Sequence, residues 1–166
     1  MIRIRNLALI AAILVSAGCT KPVFNAADEA KKLLSRDAEW AQLASDGKDV
    51  DKILSYWSDD AIVIPQGQPI AEGKQAIRAF ITASLAIPGF RIHWVSEKPS
   101  FSADGTVAYM RATNEITVPG PTGARMTLPG RGMTVWRKDA DGLWRCVVDT
   151  WNDPPAPQAS APADKK

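Results

Sequence analysis

The strongest constraint on the fold is a change in the spacing of apolar residues at Pro88-Gly89. Before this pair, apolar residues recur at intervals of three and four, as on one face of a helix. After it, Phe90, Ile92 and Trp94 alternate with a second set of side chains, as in a strand with two different faces. Helices first and long strands afterwards predict an α+β fold with an antiparallel sheet.

Three helices are predicted in the first half of the chain. The first begins after Asn25, a favourable N-cap, and ends at Gly47. A short second helix is predicted from about Asp49 to Trp57, and a third from Lys74 to Ala86. The apolar residues expected to face inward are Ala30, Leu33, Leu34, Trp40, Ala41 and Ala44 in the first helix, Val50, Ile53 and Leu54 in the second, and Ala76, Ile77, Phe80, Ile81 and Leu85 in the third.

The strands are predicted mainly in the second half. "AIVIP" is a short buried strand before the third helix, and it stops at Pro65. Downstream, "TVAYMRATNEITV" predicts a long strand, "PGPTGA" a hairpin turn, and "MTLPGRGMTVWRK" the returning strand. Pro129-Gly130 predicts a bulge or bend in that returning strand. "LWRCVVDTWN" is expected to close the sheet.

The N-terminus predicts a bacterial lipoprotein signal peptide over residues 1–18. Arg3 and Arg5 precede an apolar run that is too short to span a bilayer, and the ending "VSAGC" resembles a lipobox. Cleavage before Cys19 and its lipidation would anchor the chain in the bacterial cell envelope, facing the periplasm. The alternative is an ordinary signal peptide cut near Ala17, which leaves Cys19 as a free thiol.

Composition separates the C-terminal end from the fold. Residues 154–166 are rich in Pro and Ala and lack core-forming side chains, so a disordered tail is expected. The remaining chain divides into a tether over residues 19–24 and one folded domain over residues 25–153. A chain of this length can bury roughly two-thirds of its unfolded surface.

Charge and motif content exclude several kinds of function. The chain has 20 basic and 18 acidic residues, and removing Arg3 and Arg5 leaves 18 of each, so the mature chain is near neutral. Nucleic-acid binding is therefore not expected. His93 is the one histidine, which rules out a zinc site built from several imidazoles. No nucleotide-binding, hydrolase or zinc-protease motif occurs, so neither a cofactor nor a metal is expected. Cys146 is expected to be a buried thiol without a disulfide.

Five stretches of the sequence, spread across residues 31–152, resemble the SnoaL-like branch of the nuclear transport factor 2 and ketosteroid isomerase superfamily. They are "RDAEWAQLASDGKDVDKILSYWSDDAIVIPQGQPIAEGKQAIRAF", "GFRIHW", "VAYMRATNEIT", "VWRK" and "GLWRCVVDTWN". The resemblance implies a cone, in which a curved antiparallel sheet wraps around three helices and encloses a cavity, often in a homodimer. Such a cavity is an active site in some proteins and a binding site in others. Glu72 and the Pro-rich tail depart from the family pattern.

The closing strand contributes the leading candidate for chemistry, Asp149. Alternation places Asp149 on one face with Val147 and Trp151, and places Cys146, Val148 and Asn152 on the other. Burial beside Trp raises the pKa of a carboxyl group, which suits proton transfer. Ketosteroid isomerases use carboxylates in this way. The candidate catalytic residues are therefore Asp149, Asp37 in the inward stripe of the first helix, and Tyr56. The alternatives are that Asp149 is a structural acceptor and that Asp37 bonds a neighbour at the helix–sheet contact.

Five further residues are candidates for ligand binding: Trp40, Trp57, Arg111, Asn114 and Trp151. The tryptophans could line a pocket or belong to the ordinary core. Arg111 could hold an anionic ligand or form an ion pair, and Asn114 lies on the opposite face of the same strand. His93 could be a cavity base or a surface residue.

Three functions are compatible with these features. The first is a lipid-anchored domain whose cavity binds a small, largely apolar ligand. The second is a cofactor-independent isomerase or similar enzyme that uses Asp149 as acid and base. The third is a non-catalytic dimeric interaction module that uses the sheet face. An open pocket that reaches Asp149 would favour the first two, and a pocket filled by side chains would favour the third.

Overall fold

The structure is a computed structural model that describes residues 24–152. The predicted signal peptide, Cys19 and the Pro/Ala-rich segment lie outside the described residues. Within residues 24–152, no helix is both long enough and apolar enough to span a membrane. The helices and strands of this part are α1 (Ala26–Asp46), α2 (Val50–Leu54), β1 (Trp57–Ile64), β2 (Ala71–Glu72), α3 (Gly73–Leu85), β3 (Arg91–Ser96), β4 (Ser100–Phe101), β5 (Val107–Pro119), β6 (Arg125–Lys138) and β7 (Trp144–Asn152).

The strands form one curved, unclosed sheet in the order β2-β1-β7-β6-β5-β3, with β4 paired to β5. The strand pairs are antiparallel except β1–β7, which is parallel. The helices pack on the concave side, where α1 contacts β3 and α3 contacts β1. This arrangement confirms the predicted α+β fold of a curved sheet around three helices.

Both ends of α1 form as predicted. The side chain of Asn25 accepts hydrogen bonds from the backbone N–H groups of Ala27 and Asp28. At the other end Gly47 has a φ of 63°, and its N–H donates to the carbonyl of Leu43. A Cβ on Gly47 would lie 2.7 Å from Cδ2 of Leu85, so a glycine here also lets α3 pack against the end of α1.

The second helix ends earlier than predicted. It closes at Leu54, and Trp57 is instead the first residue of β1. The backbone N–H of Cys146 donates to the carbonyl of Tyr56, and Trp57 pairs with Cys146 across the parallel ladder. Pairing with β7 therefore overrides the local helical pattern.

The predicted irregularity at Pro129-Gly130 is wrong. Pro129 pairs with Glu115 and Gly130 with Asn114 in an uninterrupted β5–β6 ladder. The register shift lies between β6 and β7, where Val135 pairs with Val148 and Trp136 with Cys146, so that Val147 is an extra residue. One extra residue reverses the alternation of side chains beyond it.

The bulge also changes which residues of β7 share a face. Cys146 pairs with Trp136, and both side chains are fully buried on the concave side. Asp149 pairs with Thr134 and lies on that same side. The prediction that Cys146 lies on the face opposite to Asp149 is therefore wrong. The expectation of a buried Cys146 thiol is confirmed.

Trp40 is at the centre of the core. Its ring stacks on Tyr56 at 5.8 Å and meets Trp57, Trp94 and Trp136 edge-on at 4.5, 5.0 and 5.6 Å between centroids. These contacts join α1 to strands β1, β3 and β6, so a single side chain ties the first helix to distant parts of the sheet.

Candidate functional site

A cavity of about 220 Å³ lies between the helices and the concave side of the sheet. Its lining comes from α1, α2, α3, β1, β3, β5, β6 and β7 and is mostly aliphatic and aromatic. Four of the lining residues are tryptophans: Trp40, Trp57, Trp94 and Trp151. The polar lining residues are Gln68, Ser84, Asn114, Thr134 and Asp149. The open cavity reaches Asp149, which favours the two cavity functions over the interaction module.

Glycines on β6 make room for this lining. A Cβ on Gly130 would overlap the side-chain amide of Asn114. A Cβ on Gly132 would lie 2.9 Å from the carbonyl oxygen of Thr150 and 3.4 Å from Cβ of Trp151. Glycine in a strand interior marks a close approach of this kind. The two glycines of "PGRG" therefore did mark a special position in the sequence. They indicate close packing against the strand and not a bulge.

Asp149 is a half-buried carboxylate at the wall of the cavity. Its side chain has no hydrogen-bond partner within residues 24–152. Burial raises the pKa of Asp149 to about 7, and the nearby carboxylate of Asp37 adds to the shift. A group with this pKa can both accept and release a proton near neutral pH.

Asp37 is close enough to influence Asp149 but does not line the cavity. It is 3% exposed, and Nε1 of Trp94 donates to its two oxygens at 3.2 and 3.3 Å. Burial raises the pKa of Asp37, while the Trp94 hydrogen bond acts in the opposite direction. This contact agrees with the alternative that Asp37 bonds a neighbour at the helix–sheet contact. The donor is the indole of Trp94.

Tyr56 also does not line the cavity. It is fully buried behind Trp40, and the guanidinium carbon of Arg36 lies 4.4 Å from its ring centroid. Burial, followed by the nearby carboxylate of Glu39, raises the pKa of Tyr56 to about 12. The three predicted catalytic residues are thus not brought to one surface, and Asp149 alone faces the cavity.

Four of the five predicted ligand-binding residues line the cavity: Trp40, Trp57, Asn114 and Trp151. Arg111 does not, because strand alternation turns it to the exposed outer face, where it pairs with Glu97. His93 is exposed on the same outer face. Within residues 24–152, no group of three or more His, Cys, Asp or Glu side chains is arranged to hold a metal ion.

Further residues that the sequence patterns did not indicate as ligand-binding also line the cavity, among them Trp94, Phe80, Ser84 and Thr134. Trp94 could have been found from its alternation with Phe90 and Ile92, which likewise face the cavity. Thr134 gave no comparable signal, since its position opposite Asp149 depends on the bulge in β7.

The fold is shared by solved structures of low sequence identity. A ketosteroid isomerase-like protein from Erwinia carotovora atroseptica is 19% identical with a TM-score of 0.61, over 74% of this chain and 95% of that one. A putative dehydratase of the nuclear transport factor 2-like family from Streptomyces avermitilis is 16% identical with a TM-score of 0.64, over 80% and 100%. A putative aromatic ring hydroxylase from Novosphingobium aromaticivorans is 22% identical with a TM-score of 0.59, over 74% and 87%.

The sequence matches a family model, although no individual curated protein sequence matches the chain significantly. The model of the SnoaL-like domain matches residues 38–147, which is more than half of the chain and includes most of the elements that enclose the cavity. The match ends at Val147, two residues before Asp149. The chain therefore belongs to the SnoaL-like domain family and has the nuclear transport factor 2-like fold.

Proposed function

We propose that this protein binds a small, largely apolar ligand in the cavity beside Asp149. The observation that carries the proposal is an open, mostly apolar cavity of about 220 Å³ with one unpartnered carboxylate on its wall. A single water needs roughly 10–15 Å³ of such space, so the volume suits a compact organic molecule. Ligand sites typically combine an apolar lining with a few convergent polar groups.

A cavity-filling variant tests ligand binding. Ala112 lines the cavity from β5, whereas its neighbour Thr113 is exposed on the outer face. Ala112→Phe should weaken binding of the neutral probe naphthylmethanol about tenfold or more, which is ~1.4 kcal/mol, and Thr113→Phe should leave it unchanged. Isothermal titration calorimetry measures both. Equal affinities for the wild type and Ala112→Phe would place the ligand elsewhere.

The natural ligand can be sought directly. Native mass spectrometry of the protein purified from its source should show a retained small molecule, and the same spectrum reports the predicted homodimer. The exposed side chains of Val95 and Tyr109 on the outer face of the sheet support a dimer contact there. A spectrum with only ligand-free monomer would count against both predictions.

Proton transfer is the second candidate function. It is favoured by Asp149, whose pKa of about 7 fits general acid–base catalysis. Asn114 and Thr134 are polar lining groups that could hold a substrate. Asp149→Asn should abolish turnover of a carbonyl substrate while substrate binding persists, and Asp59→Asn, which makes the same charge change on the surface, should retain turnover. No turnover of any carbonyl compound by the wild type would rule this candidate out.

The lipid anchor at Cys19 is likewise a proposal, supported by the "VSAGC" sequence. Metabolic labelling with palmitate should mark the intact protein, and Cys19→Ser should lose the label. Processing should also be sensitive to globomycin. An unlabelled wild-type chain would contradict an envelope lipoprotein that faces the periplasm.

A further inference from the structure

The cavity offers a negative charge to a ligand and no positive charge. Asp149 is the one ionisable side chain among the lining residues that the structure describes. No lysine or arginine of residues 24–152 lines the cavity. A carboxylate at an apolar wall without a partner is costly, and a bound group of opposite charge offsets part of that cost.

The elements packed against Asp149 supply no counter-charge. Its strand neighbours are Val63 on β1 and Thr134 on β6, which are uncharged. Cys146 on β7 is a fully buried thiol whose pKa burial raises. Asp37 on α1 is a second acid, and its charge acts on Asp149. The groups around Asp149 thus add negative potential and none that is positive.

Three basic side chains of strands β5, β6 and β7 lie elsewhere. Arg145 on β7 pairs with Asp139 and Asp141 at the surface. Arg137 on β6 pairs with Asp60, and Arg111 on β5 pairs with Glu97 on the outer face. These cations are therefore already paired away from the cavity.

The aromatic walls also suit a cation. The cavity that Asp149 faces is also lined by Trp40, Trp57, Trp94 and Trp151. The face of an indole ring attracts a cation within about 6 Å, and tryptophan is the strongest of the aromatic side chains in this respect. The walls can therefore hold both the apolar body and the charged end of a ligand.

We propose that the ligand is a small organic amine, whose ammonium group pairs with Asp149 while its ring or hydrocarbon body packs against the tryptophans. The inference rests on the proposed function, namely that the cavity takes a small, largely apolar ligand. Hydrogen bonds between charged partners are roughly twice as strong as neutral ones, which favours an amine over an alcohol. A carboxylate ligand would add a further negative charge and is disfavoured. The cavity, at about 220 Å³, is smaller than the roughly 300–1,000 Å³ of drug-sized sites, so an amine with one or two rings fits.

The protonation of Asp149 predicts a distinctive pH dependence. Its pKa is about 7, so the carboxylate is mostly ionised at pH 8 and mostly neutral at pH 6. An amine that stays protonated over this range should bind about tenfold more tightly at pH 8 than at pH 6, because the ion pair needs the ionised form. A neutral ligand should change little, and an anionic ligand should show the opposite trend.

Three matched probes test the proposal on the full chain: naphthylmethylamine, naphthylmethanol and naphthoate. Isothermal titration calorimetry at pH 8 should rank the amine about tenfold or more above the alcohol, with the carboxylate weakest. Asp149→Asn should remove the preference for the amine while the alcohol still binds. Asp59→Asn, which makes the same change at an exposed acid paired with Lys74, should keep that preference.

A second variant makes the test independent of how well Asp149→Asn folds. In Asp37→Asn, the amide oxygen can still accept from Trp94, but the negative charge that raises the pKa of Asp149 is gone. The pH at which amine affinity declines should therefore shift downward. An unshifted midpoint would contradict the assigned electrostatics.

The results of these experiments distinguish a failure of the amine proposal from a failure of the proposed ligand binding on which it rests. Binding of the alcohol with no preference for the amine would overturn the amine proposal and leave the cavity as an apolar ligand site. Persistence of the amine preference in Asp149→Asn would overturn it as well. Failure of all three probes to bind the wild type would contradict both proposals.

Discussion

Asp149 is a residue whose chemistry depends on its neighbours. A carboxylate on a solvated strand end would have an ordinary pKa, but burial and the charge of Asp37 favour the protonated form. The pKa of Asp149 is thus higher in the folded state than in the unfolded chain. A raised acid pKa makes folding less favourable as the pH rises from about 4 to about 7, because the carboxylate ionises more readily in the unfolded chain.

In Asp149→Asn, the free energy of unfolding should therefore fall less than in the wild type as the pH rises from about 4 to about 7. At pH 8 the variant should be more stable than the wild type by at most a few kcal/mol, and near pH 4 the difference should vanish. Urea unfolding at the two pH values measures this difference. Asp59→Asn, outside the cavity, should not reproduce the gain at pH 8. A destabilised Asp149→Asn at pH 8 would instead indicate a carboxylate with a stabilising partner.

Trp40, unlike Asp149, is a residue whose replacement should destabilise the fold. Its ring is 2% exposed and contacts four other aromatic rings. Trp40→Ala should cost about 3–5 kcal/mol in the free energy of unfolding, because the lost contacts leave a void that the core cannot fill. Trp151 is only half-buried, and Trp151→Ala should cost clearly less. Denaturant unfolding of the two variants compares them directly, and equal costs would argue against a central role for Trp40.

At the scale of elements, the buried carboxylate of Glu29 connects the start of α1 to the sheet through an ion pair and hydrogen bonds. Glu29 is 7% exposed and accepts hydrogen bonds from Nε1 of Trp144 and Nζ of Lys32, each at 2.9 Å. Lys138 on β6 lies 2.9 Å from the same carboxylate. Burial alone would raise the pKa of Glu29, but the hydrogen bonds from Lys32, Lys138 and Trp144 outweigh it and lower the pKa to about 2.

Glu29→Gln should weaken this connection and lower the free energy of unfolding. Because the pKa of Glu29 is depressed in the folded state, its contribution is present above the ordinary value of 4.5 and is lost as the pH falls towards about 2. The variant should lose about 1–3 kcal/mol at pH 7, and the difference from the wild type should shrink below pH 4. Glu39→Gln, at an exposed position on the same helix, should change stability by less than ~0.5 kcal/mol. Denaturant titrations over pH 2 to 7 test this, and a constant difference would contradict it.

At the scale of the whole molecule, the cavity joins α1, α3 and most of the sheet in one lining. A ligand in it therefore contacts most of the fold at once. Naphthylmethanol at about 100 times its dissociation constant should stabilise the whole domain by ~2.7 kcal/mol and raise its Tm by several degrees in a single transition. Ala112→Phe should be stabilised by ~1.4 kcal/mol or less at the same probe concentration and show a clearly smaller rise, and differential scanning calorimetry measures it. A rise of equal size in the variant would mean that the probe binds outside the cavity.

The elements could be predicted because their signals are local. Asn25 and Gly47 bound α1 through caps that involve residues within one turn, and the change of period at Pro88-Gly89 separates helices from long strands. The boundary of α2 could not be predicted in this way. It depends on a hydrogen bond from Cys146, which is distant in the sequence.

By itself, the sequence determined the fold class, the order of the elements and the family, because periodicity, caps and the matching stretches depend on residues close together in the chain. Only the tertiary structure decided which candidate residues meet. The bulge at Val147 set the face of Cys146, strand pairing turned Arg111 outward, and packing enclosed Tyr56 behind Trp40. The physical reason is that strand register and side-chain facing follow from contacts between distant segments. Asp149 was selected from its local surroundings, but the absence of a cation beside it within residues 24–152 is a property of the folded chain.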